Sequence, residues 1–233
     1  MMEQAIQIEK LISGKTAAGA LALLAGEFSG KAVFSTSFSN EDQVITHMIA
    51  SDSLAVKIFT LDTGRMFAET YSVWNSLLER YGMKINAYYP QAEALEKMLS
   101  EKGPNSFYQS VENRKECCFI RKVEPLKHAL KGNDLWITGI RAEHSASRNE
   151  LKQLEWDEEN KIYKYHPLLH WSRKEVDDFI AKNNIPCNAL YSKGYASIGC
   201  APCTRAIKQG EDIRAGRWWW EQNNKKECGL HTH

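Results

Sequence analysis

No apolar run in this 233-residue sequence approaches the roughly 18 residues that span a bilayer, so no transmembrane helix is expected. The opening stretch, MMEQAIQIEKLISGK, lacks the apolar core and cleavage site of a secretory signal, and a cytoplasmic protein without a membrane role is expected. Charge of one sign is also missing: 30 Lys and Arg stand against 29 Asp and Glu, a net of +1. That balance gives no global field for a nucleic-acid backbone, so no nucleic-acid partner is expected and any anion must be gripped locally. No internal repeat, low-complexity tract or Pro/Gly/Ser-rich linker divides the chain. Cysteine is absent from the first 116 residues, and all six lie beyond, at positions 117, 118, 187, 200, 203 and 228. In a reducing compartment this disfavours a disulfide framework and points to metal binding or catalysis.

What is present suits a globular domain with a sizeable core, at 43% hydrophobic and 25% charged residues. Strands are expected over 31–38, 55–61, 83–89 and 134–140. Between them helices are expected over NEDQVITHMIA, over a segment with Phe67, Tyr71, Trp74 and Leu78 on one face, and over QAEALEKMLSEKG, stopped at Gly103. Alternating strands and helices imply an α/β fold, a mostly parallel sheet flanked by helices, with ligands at the carboxyl ends of the strands. The loops there are STSFSNED (35–42), LDTGR (61–65) and TGIRAEHSASR (138–148), whose serine-rich turns offer backbone N–H groups to a phosphate. Further on, Ser172 and Glu175 have capping-box spacing ahead of a structural helix. His166 and His170 stand four apart, but Pro167 breaks the helix that would align them as metal ligands.

The cysteine pattern carries the chemistry. Cys200-Ala-Pro-Cys203 alone reads as half a zinc site, a redox pair or chance; with Cys117-Cys118 it supplies four soft ligands, enough for zinc or a cubane cluster. Adjacent thiolates close a tight ring on one tetrahedral ion, whereas a four-iron cluster offers each its own iron, so [4Fe–4S] is preferred. A vicinal disulfide is strained and reducible and ranks last. Arg121 and Lys122 are either solvated cations on a helix or counter-charges to the cluster and an anionic substrate. Cys187, in NIPCNAL, reads as buried and inert. Cys228, among Lys225, Lys226 and His231, reads as a thiol of lowered pKa and a nucleophile rather than part of a terminal zinc site. Arg214 and Arg217 are expected on one helix face as a fork for an oxyanion, and at least one of Trp218, Trp219 and Trp220 is expected in the core.

From about residue 30 onward the chain resembles the assimilatory adenosine 5′-phosphosulfate (APS) reductases, the iron–sulfur branch of the phosphosulfate reductase family. The motifs that carry the likeness are KECCFIRKVEPL, IGCAPCTR, RAGRWWWE and the tail KECGLH. The resemblance implies an adenine-nucleotide α-hydrolase-like fold, related to ATP pyrophosphatases, over 1–220 and a flexible catalytic tail over 221–233. It implies a [4Fe–4S] cluster on Cys117, Cys118, Cys200 and Cys203, with Cys228 as nucleophile. Ser37, Ser39, Leu61, Gly139 and Arg141 match nucleotide-contacting positions; Lys122, Arg148, Arg214, Arg217 and His231 match positions around the phosphosulfate. The implied activity is thioredoxin-dependent reduction of APS to sulfite and AMP in sulfate assimilation and cysteine biosynthesis, through a Cys228 S-sulfonate. A homo-oligomer is compatible with it. One departure is visible: Asn40 stands where many relatives carry glycine, which puts a backbone contact there in question. The alternatives are a 3′-phospho-APS reductase and a zinc-stabilised nucleotide-binding module; an ATP-dependent thiolation enzyme is disfavoured because STSFSNED lacks the glycines of a pyrophosphate loop.

Overall fold

The computed structural model describes residues 2–144 and 151–221. The chain forms two compact units, one from Met1–Phe59, Ser72–Asn86 and Leu130–Asn188, the other from Thr60–Tyr71, Ala87–Ala129 and Ala189–His233. Its helices are α1 (Met2–Ile12), α2 (Ala17–Glu27), α3 (Asn40–Ser51), α4 (Ala68–Tyr81), α5 (Ala92–Lys102), α6 (Val111–Cys118), α7 (Glu124–Leu130) and α8 (Arg173–Asn183). The strands are β1 (Ala32–Ser35), β2 (Lys57–Leu61), β3 (Ile85–Tyr88), β4 (Leu135–Ile137), β5 (Leu154–Asp157) and β6 (Ile162–Tyr165). They form one sheet in the order β3-β2-β1-β4-β6-β5. β1 runs parallel to β2 and β4, β4 runs parallel to β6, and β5 is antiparallel to β6. The strand order reverses between β1 and β4, which makes the loops after these two strands the switch-point crevice of an open α/β sheet.

In the first unit, alternation along the strands sends Ala32, Phe34, Leu135, Ile137, Tyr163 and Tyr165 to one face. There they pack on Leu21 and Leu24 of α2, on Val44, Ile45, Met48 and Ile49 of α3, and on Val176 of α8. Truncating a fully buried leucine of this kind to alanine costs about 2–5 kcal/mol. The helix starts obey their sequence signals: Thr16, Ser39, Ser110 and Ser172 all cap with their side chains, and Ser172 and Glu175 complete a capping box. Gly103, at φ +77°, ends α5 as expected.

Three readings need correction. In α4 the buried stripe is Val73 and Leu77, with Trp74 partly buried against the same core, while Tyr71 and Leu78 are exposed and Tyr71 turns outward to donate its hydroxyl to Asp62. The segment holding Arg214 and Arg217 is a succession of turns and not a helix, with Arg217 bridged to Thr204. Trp218 is buried, at 1% exposure, though its backbone lies at φ +42° in that turn and Trp219 is exposed. Cys187 lies on the surface in the loop after α8, following Pro186.

In the second unit α6 passes into α7 through a π-helical stretch, Phe119–Val123. Pro125 explains it: lacking an N–H, proline cannot bond the carbonyl four residues back, here Arg121, and its ring crowds that carbonyl unless the turn widens. The widened turn carries Arg121 and Lys122 immediately after the paired cysteines. A separate apolar cluster of Met98, Phe107, Cys117, Ile120, Cys203 and Trp218 packs around it. Among the described residues no helix is long and apolar enough to cross a membrane.

Candidate active site

In the first unit the loop after β1 is held by a kink. Phe38 takes φ +61°, a conformation costly for a large side chain, and is fixed there by burial and by stacking on Trp74 at 5.5 Å. Ser37 on one side of the kink donates to Asp42 from its amide (2.6 Å) and its hydroxyl (2.7 Å). Ser39 on the other side caps α3 by accepting from the Asp42 amide at 3.2 Å. Asn40 is the first residue of α3 and is buried, so it takes part in the helix start rather than in an open turn. Gly139, after β4, lies against the same carboxylate: a Cβ there would sit 2.1 Å from Asp42 Oδ1. Asp42 therefore brings Ser37, Ser39 and Gly139 together, a role the sequence reading missed. Arg141 is buried and committed to an ion pair with Glu41 at 2.9 Å and to Glu143 and the Trp171 carbonyl.

Burial pushes the Asp42 carboxyl up to about 6, against the hydrogen bonds from Ser37 that favour the anion, and the neighbouring Glu41 charge pushes the same way as burial. In the unfolded chain this group ionises near 3.8, so between about pH 4 and 6 the folded state holds the extra proton. Its contribution to stability is full below that window and is lost as pH rises through it, up to about 3 kcal/mol. Denaturation of wild type and Asp42→Asn between pH 4 and 8 should show the advantage of the wild type declining across the window and flat above it; parallel curves would refute the shift.

In the second unit, Cys117, Cys118, Cys200 and Cys203 line one small pocket, partly open to solvent, together with Arg65, Arg114, Arg121, Lys122, Phe107 and Pro202. Cys117 and Cys203 are buried and Cys118 and Cys200 half-buried. Consecutive helical positions point about 100° apart, which is how neighbouring thiols reach different parts of one pocket. Burial pushes the Cys203 thiol up to about 12, with the Cys200 sulfur adding to it, and burial likewise raises Cys117 against the pull of Arg121. Among the described residues no three His, Cys, Asp or Glu side chains converge so as to hold a single metal ion.

The LDTGR loop is tied to this pocket within the same unit. Leu61 ends β2 half-buried. Asp62 accepts from the Gly64 amide at 2.8 Å and from the Tyr71 hydroxyl at 2.9 and 3.0 Å. The Thr63 carbonyl accepts from Arg121 at 2.5 Å, its hydroxyl accepts from Cys200 Sγ at 3.4 Å, and the Arg65 carbonyl accepts from the Ala201 amide at 2.8 Å. Asp62, Thr63 and Arg65 were legible only as members of a polar loop.

Arg217 lies flat on Gly199, where a Cβ would meet its guanidinium at 2.3–2.8 Å, and over the Trp218 ring at 4.7 Å. Arg114 takes the Trp218 ring at 4.7 Å too and is forked onto Glu221 at 2.8 and 3.0 Å. Three buried donors here have no hydrogen-bond partner among the described residues: Arg121 Nε, Arg217 Nε and Trp218 Nε1. Arg214 is half-buried in the preceding turn. Arg148, Cys228 and His231 lie outside the described residues.

The family described as Phosphoadenosine phosphosulfate reductase domain matches residues 31–206. Adenosine 5′-phosphosulfate reductase of Burkholderia cepacia is 49% identical over 90% of this chain and 85% of its own length. The crystal structure of phosphoadenylyl-sulfate (PAPS) reductase from Candida auris superposes with a TM-score of 0.75 at 26% identity, covering 89% of this chain and 98% of that one. Candida glabrata FMN adenylyltransferase, solved with FMN and an ATP analogue, shares the fold alone, at TM-score 0.52 and 18% identity over 93% of this chain and 72% of that one. With an α/β sheet of adenine-nucleotide α-hydrolase type and this match over most of its length, the chain belongs to the phosphoadenosine phosphosulfate reductase family.

Proposed function

We propose that this protein reduces APS to sulfite and AMP in sulfate assimilation, with thioredoxin as reductant, Cys228 as nucleophile and a [4Fe–4S] cluster on Cys117, Cys118, Cys200 and Cys203. The observation that carries the reading is that four thiols from two distant segments line one cation-rich pocket. The curated relative of nearly half identical sequence bears the name of that activity. The donor set suits a cluster better than a single ion. Neighbouring thiolates such as Cys117 and Cys118 would close a tight ring on one tetrahedral zinc, whereas a four-iron cluster offers each its own iron. Thiols whose ionisation is opposed by burial and by one another need a strong cationic centre to deprotonate them. The unpartnered N–H groups of Arg121 and Trp218 suit the sulfurs of an anionic cluster as acceptors. When bound, that group supplies a fixed charge distribution close to Lys122 and Arg121.

The chain's own groups do the chemistry. The Cys228 thiolate attacks the sulfur of the sulfate group, the S–O bond breaks with its electron pair going to AMP, and a Cys228 S-sulfonate remains. A thioredoxin thiolate then attacks the Cys228 sulfur; sulfite leaves with the S–S electron pair, and the second thioredoxin thiol resolves the mixed disulfide. Sulfur gains two electrons and thioredoxin becomes a disulfide. Two anions at 4 Å repel by about 4 kcal/mol at an effective dielectric of 20. Lys122, Arg148, Arg214, Arg217 and His231 are the cations proposed to offset this. Ser37, Ser39, Leu61, Gly139 and Arg141 are proposed for the nucleotide, Arg141 acting through the loop it pins to Glu41.

Intact-mass measurement after adding APS to anaerobically purified protein without reductant tests the reading. A gain of about 80 Da on Cys228, released as sulfite by reduced thioredoxin, is expected; its absence from iron-loaded protein refutes it. The second reading, a 3′-phospho-APS reductase, draws on the Candida auris neighbour and is decided by kcat/KM on the two nucleotides side by side. A colourless, zinc-loaded protein without turnover would favour the binding module.

A further inference from the structure

We propose that a buried hydrogen-bond chain, Glu155–His166–Thr138, positions the turn after β4 and so sets the protein's affinity for the nucleotide half of its substrate. The inference rests on the reading of that turn as part of the nucleotide site. β4, β6 and β5 are in register through Trp136, Lys164 and Glu155, which alternation directs to the sheet face opposite the main apolar cluster. Thr138 and His166 follow two residues further along the same two strand directions, and the Thr138 amide still pairs with the Tyr165 carbonyl at 3.0 Å. His166 is fully buried, with Nδ1 2.6 Å from Thr138 Oγ1 and Nε2 3.3 Å from Glu155 Oε1. The Thr138 oxygen in turn accepts from the Ile140 amide at 3.4 Å.

One assignment of protons satisfies every link. The carboxylate only accepts, so Nε2–H donates to Glu155; Nδ1 then accepts from the Thr138 hydroxyl, whose oxygen accepts from Ile140 N–H. Lys164 Nζ reaches the same Glu155 oxygen at 3.4 Å while lying over the Trp136 ring at 5.1 Å, which anchors the carboxylate end. At the other end the turn is closed by the Ala142 amide on the Leu169 carbonyl at 2.9 Å, and between them Gly139 rests on Asp42. A histidine engaged at both nitrogens and shut off from solvent is suited neither to ligate a metal nor to move a proton to substrate. Apolar residues of similar volume would fill this space at little cost in stability, whereas a fully satisfied polar chain fixes one backbone arrangement. Glu155, His166 and Thr138 are positioning residues for the turn that presents Gly139.

The test is calorimetric binding of AMP to the full chain, beside steady-state kinetics on APS. Thr138→Val removes the hydroxyl and keeps the shape; Thr138→Ser keeps the hydroxyl. We expect Thr138→Val to weaken AMP and raise KM by about tenfold, the scale of one lost hydrogen bond, with kcat within about threefold, and Thr138→Ser to restore both. Undiminished AMP binding by Thr138→Val, or equal losses in Val and Ser variants, overturns the proposal. Should Thr138→Val not fold, Glu155→Gln at the partly exposed end serves instead: about threefold weaker AMP binding, measured well below that variant's own melting temperature, supports the chain, and unchanged binding overturns it. Wild-type protein that binds neither AMP nor APS would overturn the nucleotide-site reading itself, an outcome distinct from the others.

Discussion

Cys228→Ser protein, mixed with APS and reduced thioredoxin, should release no sulfite and gain no mass, while keeping the broad absorbance near 400 nm of a cubane cluster. The loss should be on the order of 10⁴-fold or more, the scale seen when a covalent nucleophile is removed. A serine hydroxyl ionises far above neutral pH, whereas a cysteine thiol begins near about 8.5 and is intrinsically the stronger nucleophile. Retention of colour follows because the four pocket cysteines are untouched. Cys203→Ala, by contrast, should give a colourless protein. A Cys228→Ser variant that still turned over would transfer the nucleophile to another residue and end the proposed mechanism.

Gly139→Ala should lower kcat/KM on APS by about 10²-fold with the fold and the absorbance retained. The new Cβ would meet Asp42 Oδ1 at 2.1 Å and Cγ at 3.2 Å. Such overlaps are relieved cheaply when the neighbour is a free side-chain end, but here the other carboxylate oxygen is gripped twice by Ser37. Either the turn after β4 or the loop after β1 must give way, and a displacement of about 1 Å in a substrate-positioning segment is enough for a loss of that size. Stability should fall by only about 1–3 kcal/mol, the usual cost of overpacking. Kinetics indistinguishable from wild type would show that neither loop holds the substrate.

Much of the scaffold was legible because its signals are local. β1 to β4 and the helices α3, α4 and α5 follow from apolar runs and breakers, and the end of α5 and the start of α8 follow from a glycine and a capping box. Cys117, Cys118, Cys200 and Cys203 were singled out from their chemistry as four soft ligands, and the fold brings them to the lining of one pocket. The hairpin of β5 and β6 was missed for a physical reason: β6 is buried along its whole length yet carries Lys164 and leads into His166, so it shows no apolar alternation. The Arg214–Trp218 segment misled because short i to i+3 spacing is shared by helices and turns; the turn is fixed by tertiary partners, the Thr204 bridge and the bond from the Trp218 amide to the Cys203 carbonyl at 3.2 Å. Asp42 escaped notice, and His166 was weighed only as a metal ligand, because each acts after folding on a distant partner: Asp42 on Gly139, 97 positions away, and His166 on Thr138, 28 positions away.

The widened turn at Phe119–Val123 amounts to one surplus residue accommodated inside a helix. Its phase is therefore shared by everything on either side: shortening the segment by a single residue would swing whatever follows by about 100° about the axis relative to the paired cysteines. Tolerance to length change should accordingly be far lower at this point than in any surface loop, and a lineage that altered the spacing between CC and RK would have to re-aim both cations at once.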